Sequence, residues 1–484
     1  MNSKTKTGLQ ILETALILGV LGDALLRVET WGLNLLLWIV ALVMGLVGLT
    51  LRRRREFWTK QTIALHVAVI FFAALFVWRD SATLQTLDVL LILSILSILT
   101  LPALDIKPQI SGFLHYFAGA LYSSFSAIVA PFVLIFGDIE WAKIPQNGFT
   151  KHLAAILRGL AIAAPILFVF GLLFMAADAV FEGIVKNTLH IEGGVLFSHF
   201  LLFGFLTWIS AGYLRGAIGE SLLTTLGTNP STNAQQSLGL NDVKVDENAV
   251  KANPNQVLNK DETSEWSSFF TLGAVEMSIV LGLVNALFLG FVIIQIRYFF
   301  GGMELVQATE NFKLSDYARR GFGEIVTVAA LMLPILLVTH WLLRKDNKLN
   351  EKLFRVFALV NIGLLFVMMY SALQRMLLYT SDLGYGLSEL RIYTTAFMLW
   401  LAIVFVWFGL TVLRGQTHRF AWGAMWTAFL VVASLHVLNP DNLIVRTNVK
   451  LSQQGRTFDA RYLTNLSDDA VPALTEALPT LSFD

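Results

Sequence analysis

An all-α integral membrane protein of eleven or twelve spans is predicted by three observations. The 484-residue chain is 56% hydrophobic and only 14% charged. Its mean hydropathy is +0.66. Apolar runs of membrane-spanning length recur along nearly all of it. Soluble domains hold roughly 45–50% apolar and about 25% charged residues, so this composition excludes a soluble globular protein. Thirty-five Lys and Arg against 34 Asp and Glu leave a net charge of +1, with no global field to attract nucleic acid or an acidic partner. The absence of cysteine excludes disulfides, thiolate metal sites and cysteine nucleophiles together.

A hydrocarbon layer of about 30 Å needs about 20 apolar residues per helix. Runs of that kind lie at 9–28, which carries Glu13 and Asp23, and at 31–51, which is followed by Arg52–Arg55. Others lie at 61–78, 82–104, 111–136, 153–181 and 195–218, and then at 269–297, 323–343, 354–379, 391–413 and 420–438. The N-terminus superficially suggests a signal peptide. Its acids interrupt the apolar run and no clean small-residue cleavage site follows, so it is expected to remain as a span. Pro102, Pro131, Pro165 and Pro334 fall inside spans, where kinks are expected rather than breaks. Gly212 and Gly216 form a small-xxx-small pair, which carries little weight in a chain of 35 glycines.

Residues 221–266 contain six acids, three lysines and no aromatic before Trp266. Too little apolar surface is available to order such a segment. It is read as a flexible linker between an N-terminal helix block, 1–220, and a C-terminal block, 267–438. An extramembrane tail, 439–484, follows. In the tail, Asp468 and Asp469 are placed to begin a short last helix, with Pro472 in its first turn, and the tail is expected to cap a polar face.

The positive-inside rule puts Arg52–Arg55 with Lys60, and Arg344, Lys345, Lys348, Lys352 and Arg355, in the cytoplasm. Seven spans separate the two clusters, an odd number, so one is expected not to cross singly. Residues 111–136, with His115, several serines and Pro131, are expected to be re-entrant or a hairpin. The N-terminus, the linker and the 344–353 loop then face the cytoplasm, and the tail lies outside, which in a bacterium would be the outer side of the cytoplasmic membrane.

Polar residues near span ends carry the functional argument. Asp178 ends one span and His199 begins the next. Gln295 and Arg297, then Arg319, Arg320 and Glu324, flank the following gap, and Gln374, Arg375, Arg391 and Tyr393 the one after. His436, Asn439 and Asp441 close the last span. By alternation of ends these share one face. Arginine there suits a phosphate or carboxylate, so Arg297, Arg319, Arg320, Gln374, Arg375, Arg391 and Tyr393 are candidates for binding an anion or lipid headgroup. The competing reading is structural: Arg320 pairs with Glu324, Arg391 with Glu389 or Asp382, and the others snorkel to the interface. Glu13 and Asp23 lie about 80° apart around a helix and could form half of a proton or cation path, the competing reading being near-interface acids or pairing with a basic residue such as Arg27. His66, His115 and Asp88 are read as hydrogen-bonded core or interface groups.

No phosphate loop, HExxH, GxSxG or GxGxxG motif is present. The eight histidines form no metal-ligand spacing, so no metal or cofactor is expected. Basic and aromatic residues are not interleaved as in nucleic-acid binders.

Four motifs in the second block are Gln295-Ile-Arg-Tyr-Phe-Phe-Gly-Gly302, Tyr317-Ala-Arg-Arg-Gly-Phe322 with Glu324, Leu373-Gln-Arg-Met376 and Tyr385-Gly-Leu-Ser-Glu-Leu-Arg-Ile-Tyr393. The tail adds Asn439-Pro-Asp441, Asn448, Asp459 through Tyr462-Leu, Leu466-Ser and Asp469-Ala-Val-Pro-Ala-Leu474. Arg158-Gly-Leu through Pro165 to Ala177-Asp178 adds an earlier span. As an ordered set over 158–475, the linker excepted, they resemble bacterial polytopic membrane proteins of domain of unknown function 4173, with relatives in 4153. The resemblance implies the architecture and lends no catalytic residue. Three functions are open: a non-enzymatic envelope sensor or scaffold with protein partners at linker and tail, a transporter or flippase of an anionic or lipid-linked solute, and an enzyme acting on lipid headgroups with Asp178 or Glu324 as base.

Overall fold

The computed structural model describes residues 3–28, 30–51, 58–104, 106–108, 112–140, 193–218, 274–300, 322–343, 348–377, 380, 386–455 and 460–480. Among them every regular element is helical. Ten helical segments among the described residues are long and apolar enough to cross a membrane. The linker, Arg52–Arg55 and residues 153–181 lie outside the described residues.

Contacts divide the chain into two units. The first comprises Met1–Trp78, Asp88–Pro108 and Leu114–Asn233, and the second Arg79–Leu87, Gln109–Phe113 and Ala234–Asp484. The helices contributing to the first are α1 (Ser3–Leu25), α2 (Leu33–Leu51), α3 (Lys60–Trp78), most of α4 (Ala82–Ile98), α5 (Phe113–Val133) and α6 (Gly193–Ile218). Hydrocarbon supplies no hydrophobic drive between such helices, so close backbone approach and polar ties hold them. Trp38 Nε1 donates to the Leu18 carbonyl (3.0 Å), Tyr213 OH to that of Leu96 (3.1 Å) and Tyr122 OH to that of Gly216 (3.2 Å). The α5–α6 contact is built on the glycine pair that seemed incidental in the sequence. A Cβ on Gly212 would stand 2.4 Å from the Ala127 carbonyl oxygen and 2.6 Å from that of Ser126. Backbone cannot swing aside as a side chain does. Gly212→Ala should therefore displace α5 and cost about 1–3 kcal/mol in thermal unfolding of the purified protein. Gly204→Ala is the control, because nothing lies within 4 Å of its Cβ position.

The hairpin expected at 111–136 does not form. Phe113–Val133 is one uninterrupted α-helix with Pro131 inside it, continued by a π-helical turn at Leu134–Asp138. Pro334 likewise sits within a continuous helix. Pro102 instead falls in a 3-10 turn, Leu101–Leu104, just after α4. Pro165 lies outside the described residues.

The second unit contains α7 (Ala274–Phe300), α8 (Phe322–Leu342), α9 (Lys348–Leu377), α10 (Glu389–Thr411) and α11 (Phe420–Leu438). Its core includes Met277, Leu281, Phe354, Leu365, Phe405 and Phe408. Inside it, Asn361 Nδ2 donates to Asn285 Oδ1 (2.9 Å), and Asn285 Nδ2 donates to the Phe357 carbonyl (2.9 Å). These amides join α7 to α9 where apolar side chains could not specify register. Asn439 then turns the chain out of the last apolar helix. At φ 52° it ends α11, its backbone N–H returning to the Leu435 carbonyl. Its side chain meanwhile accepts from the Asn442 N–H at the start of α12 (Pro440–Gln453), with Pro440 in the first turn. Short helices α13 (Ala460–Leu463) and α14 (Val471–Ala477) follow, the latter entered through a 3-10 turn at Asp468–Ala470. Ile444, Val445, Leu463 and Ala470 pack with Leu84, Ile392 and Leu435, giving the tail a core shared with the helix ends beneath it.

Candidate functional site

A dense polar constellation lies where this tail meets the start of α10, the end of α11 and residues 79–81. Arg79 Nε donates to the His436 carbonyl (2.9 Å), and its Nη1 reaches Asp469 Oδ1 (3.5 Å). Asp469 Oδ2 accepts the Asp80 N–H (3.0 Å). Ser81 Oγ and the Tyr393 hydroxyl are 3.1 Å apart. The first N–H groups of α10 need external acceptors. Ser388, at the N-cap, supplies none from its side chain. The Glu389 N–H instead donates to the Tyr462 hydroxyl of the tail (2.9 Å). Burial pushes the Tyr462 phenol above its ordinary pKa, so it meets that N–H as a neutral group at physiological pH.

Asn448 docks like a strand edge. Its amide accepts the Leu387 N–H (2.7 Å) and donates to the Leu387 carbonyl (3.0 Å). Gly386 makes room for it at φ +68°. Arg391 Nη1 donates to the Gly386 carbonyl, and Ser467 Oγ is hydrogen-bonded to Asp441 Oδ2. Asp441 is 1% exposed, as is His436. Asp441, Glu389 and Asp469 lie within electrostatic reach of Tyr393. The arrangement positions the tail on the helix ends, with backbone partners at Asp80, Leu387 and Glu389 and a side-chain partner at Arg79.

Of the residues singled out in the sequence, Arg391, Tyr393, His436, Asn439 and Asp441 come together here. Gln374 is exposed and donates to the Tyr370 hydroxyl (2.8 Å), while Arg375 is half-buried near the end of α9. Asp178, Arg319 and Arg320 lie outside the described residues, as do the side chains of Arg297 and Glu324. Glu13 is exposed on α1. Asp23 sits in a polar knot: its Oδ1 accepts from Arg27 Nη2 (2.8 Å), its Oδ2 is 2.6 Å from His199 Nδ1, and Arg27 Nη1 donates to Ser198 Oγ (2.8 Å). Glu13 and Asp23 are therefore not brought to one site.

A second knot in the first unit has no counterpart in the sequence reading. Arg215, 1% exposed near the end of α6, donates from Nε to Asp138 Oδ2 (2.7 Å). Lys4 Nζ lies 3.3 Å from Asp138 Oδ1. Lys4 of α1 and Arg215 of α6 thus meet across Asp138 at one end, and Asp23 of α1 meets His199 of α6 at the other, so α1 and α6 run antiparallel with a polar tie at each end. The available signal was a lone arginine in the last turn of an apolar helix. Asn285 and Asn361 carried a similar one, as single amides within apolar runs.

These helices and their polar ties define an all-α, multi-pass integral membrane protein that lives in a lipid bilayer. The chain belongs to the family described as Domain of unknown function (DUF4153), whose profile matches residues 66–477. The expected assignment to 4173 is thereby corrected to the family first named as its relative. The match also begins at 66 rather than 158, taking in helices that the motif resemblance did not cover. No curated protein and no solved structure matches the chain.

Proposed function

We propose that the protein is a non-enzymatic sensor or scaffold of a bacterial cytoplasmic membrane, working through its tail and its 221–266 linker. The observation that carries this reading is the docking of the tail. Arg79, Asp80, Leu387 and the first turn of α10 are hydrogen-bonded to it, so a partner bound to the tail acts directly on the ends of membrane helices. Arg391, one of the arginines expected on the polar face, donates to the Gly386 carbonyl, which favours a structural use over anion binding. By the positive-inside rule, the basic end of α9 faces the cytoplasm and the tail faces outward. Counting back through α8 and α7 puts the linker in the cytoplasm, so the two interaction segments lie on opposite sides.

The test is complementation of a deletion strain under envelope stress by two chains. One lacks 221–266; the other carries Asp469→Asn and Tyr462→Phe, which loosen the tail. Both should accumulate in the membrane with wild-type helix content by circular dichroism, and neither should complement. Full complementation by both overturns the reading. Loss of solute uptake in Arg375→Ala, with both of those chains active, would favour transport instead.

A further inference from the structure

The end of the second unit opposite the tail carries a different constellation. A pocket of about 190 Å³ is lined by His340, Glu351, Arg355 and Thr417, among others. It shares Arg355 and Leu413 with a cleft of about 500 Å³ between α9 and α10. Buried Ile362, Phe405 and Leu413 form the floor of that cleft, and exposed Leu359, Val406 and Leu410 its rims. Gly409 keeps it open, with nothing within 4 Å of its Cβ position. Arg414 stands with Arg355 at the mouth. From residue 405 to 414 the cleft extends about 13 Å along the helix, close to the hydrocarbon depth of one leaflet, about 15 Å.

A polar pocket continuous with an apolar cleft of leaflet depth, with Arg355 lining both and Arg414 lining the cleft, has the form of a phospholipid. We propose that this site holds an anionic diacylphospholipid, its phosphate between Arg355 and Arg414, one acyl chain in the α9–α10 cleft and its headgroup in the pocket beside Thr417. Charge complementarity selects the anionic class. Lys348, Lys352 and Arg419 add to the two arginines at this helix end, against Glu351 among the pocket residues. Basic pockets between membrane helices on the cytoplasmic side attract such lipids, and the exposed Trp341 at the end of α8 marks the headgroup level. Glu351 is placed to accept from headgroup hydroxyls. It is also the group that could hold an ethanolamine, which makes the zwitterionic ethanolamine lipid the strict comparator. This site shares no residue with the tail-docked cluster and stands whether or not the sensor reading does.

The experiment is thermal unfolding of the purified full-length protein in detergent, titrated with dioleoylphosphatidylglycerol, dioleoylphosphatidylethanolamine or glycerol 3-phosphate. A ligand bound only to the folded state stabilises it by RT ln(1 + [L]/Kd), so Tm climbs with the concentration of a lipid that binds. Phosphatidylglycerol alone should produce the rise. Arg355→Gln with Arg414→Gln should weaken its apparent affinity about thirtyfold. Gly409→Leu keeps both arginines and fills open space, so it should retain the lipid-free Tm and abolish the rise. An equal shift with phosphatidylethanolamine overturns the charge selectivity. An equal shift with glycerol 3-phosphate reduces the site to a phosphate contact and overturns the lipid. Unchanged phosphatidylglycerol affinity in both variants overturns the location.

Discussion

Arg215→Ala is expected to be the most damaging single substitution in the described part of the chain, costing about 3–5 kcal/mol because it leaves a carboxylate buried without its partner. The side chains of Arg215 and Asp138 are only 2% and 9% exposed, and they meet at 2.7 Å. Lys4 also touches Asp138, but its side chain is 46% exposed, so its attraction is screened and cannot replace the guanidinium. The sharper test is the double variant Asp138→Leu with Arg215→Met. Replacing a buried ion pair by apolar groups of similar volume is often neutral or stabilising. The double variant should therefore recover most of the stability lost in Arg215→Ala, measured by thermal unfolding of the purified protein. If the double variant unfolds as readily as Arg215→Ala, the pair is doing something other than neutralising itself.

Gly386→Ala should release the tail. Two penalties coincide there. The backbone is at φ +68°, where a residue with a Cβ is strained. The Cβ would also stand 2.2 Å from Asn448 Oδ1, and that amide is held on both sides by Leu387. Together they should cost about 2–4 kcal/mol, concentrated in the tail rather than in the apolar helices. Hydrogen exchange separates the two outcomes. Amides of α12 and the Glu389 N–H should lose protection while those at the middle of α9 and α10 keep it. Uniform loss throughout the second unit would mean that the tail and the membrane helices unfold as one body, and protection unchanged in α12 would mean that Asn448 does not anchor it. Gly415→Ala, with open space around a similarly positive φ of +80°, isolates the backbone strain from the clash.

Most of the helices were legible in the sequence for a simple reason. Every backbone polar group within a bilayer must be satisfied inside its own segment, so an apolar run of sufficient length has almost no alternative to a helix. Local chemistry was equally readable at Asp468, Asp469 and Pro472, which open the last helix. Each of those depends on neighbours along the chain. The hairpin expected at 111–136 failed because it came from counting crossings, and a parity argument inherits the error of every span between its end points. Nothing in Pro131 required a break: a continuous helix accommodates it here, with a π turn following within three residues.

The candidate sites depended on separations that no local pattern reports. Arg215 and Asp138 are 77 residues apart, Asn361 and Asn285 76, and Arg79 and Asp469 390. An isolated arginine or asparagine in an apolar run says that a partner is needed, because an unsatisfied polar group there is costly, but not which partner. The sequence alone thus determined that this chain is a bundle of membrane helices with charges gathered at their ends. Only the tertiary structure decided that Arg391 serves a loop carbonyl, that Asp23 is shared between Arg27 and His199, that Gly212 is a helix contact, and that Arg355 and Arg414 flank one cleft. The reason is physical: hydropathy is summed along a chain, whereas hydrogen bonds, ion pairs and close packing are pairwise and fall off within a few ångströms in space.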